Sequence, residues 1–317
     1  MIIKRNKRRH NFVFTIFISL IVIILLFLPT GFENPSLRQN NLRVKALVSE
    51  VDNTALQKSG LVTVGSQNLK IKILSGEFKN QTIAAENILT GQMRLDRVYT
   101  KNDKILAVIN LTRDNREIIS ARAHSIYRIN IELILFGIFA IFLISFAGWT
   151  GFKALLSFVF TALAIWKILI PLFLIGFPPL LTAFLLITVI TATIILLIAS
   201  FTKKALVALG GSITGVGITC LLAIIFGYWL KIPGTVVEFS ETILYAGFQN
   251  LHITEIFLAG IFISASGALM DIAMDIAAAQ KEIQAKRPDI TSKELMLSGF
   301  TIARPVIGTM TTTLLFA

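Results

Sequence analysis

Hydrophobic and polar positions along this chain fall into long blocks. Apolar runs at residues 11–29, 129–148, 151–171, 177–200, 205–230, 254–276 and 298–317 approach or exceed the ~18 residues that a membrane-crossing helix needs. Between the first and second run the pattern changes. Over residues 31–128 the β-branched stretches KIKIL (70–74), VYT (98–100) and KILAVINL (104–111) are separated by the turn-forming SGEFKNQ, LTGQ, TKND and TRDN. Short alternating runs bounded by such turns predict strands. The expectation is a polytopic α-helical membrane protein with about seven spans and a small β-rich barrel between spans 1 and 2.

Composition agrees: 55% of the 317 residues are hydrophobic, 15% are charged, and mean hydropathy is +0.76, against about 25% charged residues in soluble domains. The opening MIIKRNKRRH followed by an apolar run resembles a signal peptide. No small-residue cleavage pattern follows PTGFENP, so the reading is an uncleaved signal anchor.

Basic residues set the orientation. One side collects Lys4, Arg5, Lys7, Arg8, Arg9, Lys153, Lys203, Lys204, Lys281, Lys286, Arg287 and Lys293, whereas the short connections on the other hold Lys231. The positive-inside rule then predicts a cell-membrane protein with a cytoplasmic N-terminus. Its divisions are a cytoplasmic basic end and anchor helix (1–30), an extracytoplasmic β-rich domain (31–128) and a multi-helix transmembrane domain (129–317). The chain stops at TTTLLFA without a polar flank, so a further C-terminal part is expected.

The chemistry concentrates in the last fifth. Asp271 and Asp275 stand near the end of one apolar run, and Arg304 near the start of the next. Charges in membrane helices are costly and mark functional sites by default. Spacing i, i+4 places both carboxylates on one helical face. Thr301, Thr309, Thr311, Thr312 and Thr313 form a polar wall beside Arg304. The competing reading is that Asp275 marks where the helix leaves the bilayer. Glu132 and Lys167 read as boundary residues, Lys167 snorkelling to the headgroups.

Gly210, Gly211, Gly215 and Gly217 crowd one span, with Gly211 and Gly215 in GxxxG spacing; close helix packing is the leading explanation, and Gly267, Gly299 and Gly308 are assigned the same role. The connection 231–253 is too short to span and suits an amphipathic helix, with Glu238, Glu241 and Glu255 as an acidic cluster. The lone Cys220 and the scattered His10, His124 and His252 give no disulfide framework, metal site or cofactor. The β-rich segment carries fifteen Lys/Arg and nine Asp/Glu. Such an excess suits a solvated surface, and could also meet anionic headgroups or an anionic envelope component.

Two stretches, ASGALMDIAMDIAAAQKEI (265–283) and PDITSKELMLSGFTIARPVIGTM (288–310), with ILSGEFKNQTIAAENIL (73–89) outside, resemble the YibE/F-like family of bacterial multi-pass membrane proteins. The resemblance covers most of residues 40–317. It carries over Asp271, Ser298, Gly299, Arg304, Gly308, Thr309 and Met310. Asp275 stands where the family usually has serine, Pro305 where it has aspartate, and Thr312 where it has asparagine. These departures suggest that the acidic partner of Arg304 has moved to the facing helix. What the resemblance implies is an integral membrane protein whose biochemical role is poorly defined.

A transporter or permeability component is therefore the leading expectation, with Asp271, Asp275, Arg304, Thr309 and Thr312 as its intramembrane polar site and no substrate named. The alternative is a non-transporting envelope scaffold or sensor whose external domain binds a partner. An enzyme is disfavoured because no HExxH, Ser/His/Asp or Cys/His set is present. The lipid bilayer is the expected partner, with a membrane-protein partner or a second copy open and nucleic acid not expected.

Overall fold

The computed structural model describes residues 2–31, 41–93, 95–112, 117–236, 248 and 251–316, with side-chain surroundings from residue 11 to residue 312. It divides into a helical unit, residues 1–32 and 140–317, and a β unit, residues 33–139.

The β unit contains β1 (Asn41–Asp52), β2 (Leu56–Ser59), β3 (Val62–Ile73), β4 (Thr82–Thr90), β5 (Lys104–Leu111) and β6 (Ile118–Ile126). The sheet order is β1-β5-β6-β4-β3-β2, and β1 also pairs with β3, so five strands close on themselves while β2 hangs on β3. Alternation decides what is inside. Val44, Ala46 and Val48 of β1, Leu69, Ile71 and Ile73 of β3, and Ile105, Ala107 and Ile109 of β5 are buried. Gly65 (φ +116) is required where β2 folds back on β3, because a Cβ there would run into the Ala55 carbonyl.

A polar network closes this barrel. Buried Gln67 donates through Nε2 to Asn53 Oδ1 (2.7 Å) and to the Tyr99 carbonyl (2.9 Å). Its Oε1 accepts from Asn87 Nδ2 (3.0 Å) and the Tyr99 amide (3.0 Å). Asn87 also donates to the Arg97 carbonyl at 2.7 Å. The irregular 97–99 segment thus finds its backbone partners in side chains, as buried peptide groups must. Burial in turn pushes the Tyr99 phenol up from its ordinary pKa.

The helical unit contains α1 (Ile2–Phe27), α2 (Ile129–Ala164), a π-helical turn (Ile165–Leu169), α3 (Ile170–Ile175), α4 (Pro179–Ala199), α5 (Lys203–Trp229), α6 (Ile253–Lys286) and α7 (Ser292–Phe316). The first residues of α2 belong to the β unit's half of the chain. Among the described residues, four stretches are long and apolar enough to cross a membrane: Ile129–Ile175, Pro179–Ala199, Lys203–Trp229 and Ile253–Lys286. Asn11–Phe27 is a shorter apolar helix. Within α2 the helical geometry breaks at Gly148 (φ 55, ψ −130). Three residues on, a Cβ on Gly151 would strike the Leu143 carbonyl, so only glycine fits this kink.

The core gathers α1 (Ile18, Val22, Leu25), the second part of α2 (Phe160, Leu163, Ala164), α4 (Ala183, Ile187, Ile190), α5 (Val216) and α6 (Ala259, Phe262). The closest seam runs between α5 and α6. A Cβ on Gly215 would lie 3.3 Å from Leu269, one on Gly211 3.7 Å from Ala273, and one on Gly227 inside the Leu258 side chain. At its start α7 carries a capping box. Glu294 Oε2 accepts from the Thr291 amide at 3.1 Å, and Thr291 Oγ1 accepts from the Glu294 amide at 3.3 Å. The bonds that this carboxylate accepts from the Thr291 amide and hydroxyl hold it below its ordinary pKa. The cap is complete above the ordinary carboxyl range and is lost as pH falls through the lowered value.

Two stability measurements follow from this packing. Gly215→Leu and Gly227→Leu should each destabilise the detergent-solubilised protein by about 1–3 kcal/mol through overpacking. Gly260→Leu, which meets open space, should leave the melting temperature nearly unchanged; equal losses at all three would dissociate the effect from the seam. In the β unit, Gln67→Leu should cost about 2–3 kcal/mol by stranding buried partners. Asn110→Ala, which removes an exposed bond to Ser120, should cost under about 0.5 kcal/mol.

Candidate functional site

The rotation of α6 decides where its carboxylates point. Leu258, Ala259, Phe262, Ser266 and Ala277 are its buried positions. They recur at helical spacing and face the seam with α5. Gly260, Ser264, Gly267, Asp271 and Asp275 are all exposed. Their steps of three and four residues put them on one opposite face. Asp271 and Asp275 therefore share a stripe of small and polar residues, away from the packed core.

Arg304 does not join them. Helix α7 lies against α6 through Gln280, whose Nε2 donates to the Leu295 carbonyl at 3.2 Å, and through Ile276, which neighbours Gly299. Moving nine residues from Gln280 reaches Asp271, and nine from Leu295 reaches Arg304. The two antiparallel helices thus bring both charges to one level. Nine residues are also two and a half turns at 3.6 residues per turn. Each side chain consequently lies on the side of its helix turned from the seam, and both are exposed. No ion pair involves Asp271, Asp275 or Arg304 among the described residues. The relocated acidic partner for Arg304, expected on the facing helix, is not realised in this arrangement.

The threonines of α7 are satisfied by their own helix. Thr301 donates to the Leu297 carbonyl (3.1 Å), Thr309 to Val306 (2.9 Å), Thr311 to Ile307 (2.8 Å) and Thr312 to Thr309 (2.8 Å). Their hydroxyl protons are engaged and only lone pairs face outward. Pro305 lies inside α7 and, lacking an N–H, removes the bond that Thr301's carbonyl would otherwise accept. Among the glycines assigned to packing, Gly211, Gly215 and Gly299 have neighbours within contact distance. A Cβ on Gly267 or Gly308 would meet nothing within 4 Å among the described residues.

Two lysines have surroundings that the sequence did not disclose. Lys153, counted there among the basic residues of the cytoplasmic side, is 7% exposed, and no carboxylate pairs with it among the described residues. Its place two residues after the Gly151 kink, ahead of the apolar ALLSFVF run, is the available signal. Lys167, read as a snorkelling residue, donates through Nζ to the Leu28 carbonyl at 2.8 Å and lies 4.9 Å from the Trp166 ring centroid. It satisfies a carbonyl just past the end of α1, where a cation also complements the helix dipole. Glu238 and Glu241 of the expected acidic cluster, the greater part of the expected amphipathic helix in 231–253, and the Thr313 side chain lie outside the described residues. Glu255 is in the first turn of α6, 3.7 Å from His252 Nδ1.

A family model described as YibE/F-like protein matches residues 135–317, and one described as YibE/F family N-terminal domain matches residues 43–125. No curated protein and no solved structure matches the chain.

The geometry makes a specific claim about the two charges. With both side chains turned from their common seam, Asp271→Asn and Arg304→Gln should change stability additively to within about 0.5 kcal/mol. A coupling well above that value in a double-mutant cycle would show that they interact.

Proposed function

The chain belongs to the YibE/F-like family of proteins, and from that premise we propose that it passes a cation or proton across a membrane along the outer stripe of α6. The observation carrying this reading is the pair Asp271 and Asp275, four residues apart on one exposed face within an apolar helix and without a cationic partner among the described residues. A helix that only anchors a domain gains nothing from two carboxylates at that depth, and each costs free energy unless water, an ion or a proton attends it. Gly260, Ser264 and Gly267 continue the stripe with small side chains that leave room beside the backbone. Arg304 stands at the same level on the next helix and adds positive potential there.

Seven spans accompany this reading. Ile129–Ile175 has 47 residues, about 70 Å of helix at 1.5 Å per residue, more than twice the ~30 Å hydrocarbon core. The break at Gly148 makes two crossings of it. With α1, α4, α5, α6 and α7, the N-terminus is cytoplasmic and the β unit extracytoplasmic, where its basic excess faces anionic envelope surfaces.

The orientation is checked by thiol labelling in a Cys220→Ala background. Asn80→Cys should react with an impermeant reagent in intact cells and Ala285→Cys should not; the reverse pattern would invert the topology. Transport is checked in proteoliposomes holding a pH-sensitive or cation-sensitive dye. Wild type should dissipate an imposed gradient, Asp271→Asn should lose most of that flux, and Leu221→Ala, an exposed position of α5 away from the stripe, should retain it. Equal, background-level flux in all three would leave the scaffold or sensor role as the reading.

A further inference from the structure

At the other end of the α5–α6 seam the two helices open into a pocket of about 370 Å³. It is lined by Lys203 and Lys204 of α5, Lys281, Gln280 and Gln284 of α6, and Thr202 at the α5 N-cap, above an apolar floor of Val207, Ala277 and Leu295. The small side chains Ala205, Ala208 and Ala277 pack together beneath it. That close approach is why lysines from two separate helices border one cavity.

The charges in this pocket are uncompensated. No carboxylate is among its lining residues, and none of the three lysines forms an ion pair among the described residues. The acidic side chains nearest along the same helices are committed elsewhere: Glu282 to Lys286 at 3.1 Å and Glu294 to the Thr291 cap. Gln280 spends one N–H on the Leu295 carbonyl, while Gln284 has no hydrogen bond among the described residues and its amide is free to donate. Thr202 Oγ1 is occupied, accepting from the Ala205 amide at 3.2 Å. The first N–H groups of α5 and its dipole add positive potential at the same place.

We propose that this pocket binds a phosphate group, carried either by an anionic phospholipid headgroup or by a soluble phosphate. Three ammonium groups and a free amide around one cavity match the charge and donor demand of a phosphate. Basic pockets between transmembrane helices are a recurring way to hold lipid headgroups, and the apolar floor suits the glycerol and first methylenes of a lipid. The site stands independently of whether the protein transports.

The test uses the full chain in neutral detergent and reads affinity from the shift in melting temperature. One arm titrates dioleoyl-phosphatidylglycerol, and the other inorganic phosphate against chloride at equal ionic strength. At least one probe should stabilise wild type. A response to the lipid alone assigns the headgroup as ligand, and a response to phosphate as well assigns the soluble anion. Lys203→Gln/Lys204→Gln/Lys281→Gln should weaken binding by about tenfold or more. The single exposed change Lys281→Gln serves if the triple variant fails to fold, and should weaken it severalfold. Lys231→Gln/Lys293→Gln, basic residues outside the pocket, should leave affinity unchanged. Binding of neither probe, or equal losses in the pocket and control variants, would overturn the proposal.

Discussion

The close approach of α5 to α6 is the interaction on which the helical unit depends. Gly211, Gly215 and Gly227 bring the α5 backbone against Ala273, Leu269 and Leu258, and Ala205, Ala208 and Ala277 extend the contact toward the basic end. Without a hydrophobic driving force between helices in lipid, such packing is a main source of association. It also sets the rotation of α6. Once Leu258, Phe262 and Ala277 are turned inward, Asp271 and Asp275 must emerge on the opposite side. The carboxylate stripe and the lysine-lined pocket are two consequences of one seam.

The two units solve the burial of polar groups in different ways. In the β unit a side-chain network built on Gln67 and Asn87 supplies partners to a segment without regular structure. In the helices the hydroxyls of Thr188, Thr193, Ser212 and Thr219 return to carbonyls four residues back, so each of these groups is satisfied by its own helix. Lys167 reaches a different helix, capping the carbonyl of Leu28 from within a π-helical turn. Against this thrift, the charges Asp271, Asp275 and Arg304, without ion-pair partners, stand out. Like Lys153, they are groups whose charge the described residues leave without an ion-pair partner.

How much of this could be read beforehand depends on whether a property is local. The apolar blocks are dictated by the length of a membrane crossing, and the alternation in KILAVINL by the two-residue period of a strand, so helices and β unit were legible from one sequence. The break in α2 falls at Gly148 and Gly151, between the two apolar runs, because the backbone there leaves no room for a side chain on Gly151. The level of Asp271 and Arg304 was also legible, since depth follows from counting residues inward from the α6–α7 connection.

Rotation was not legible in that way. Nine residues from each contact residue at the seam give equal depth and half-integral turns at once, and only the observed contact of Gln280 with Leu295 and of Ile276 with Gly299 shows that both charges turn outward. Lys153 has the same history: its charge is written in the sequence, while its burial depends on which elements close over it. By itself, the sequence determined element type, span length and charge asymmetry, because these follow from backbone hydrogen bonding and the cost of moving charge into hydrocarbon. Tertiary structure alone decided which faces meet, which glycines carry a neighbour and which lysines share a cavity, because a helix can rotate about its axis without changing its own hydrogen bonds until another helix packs against it.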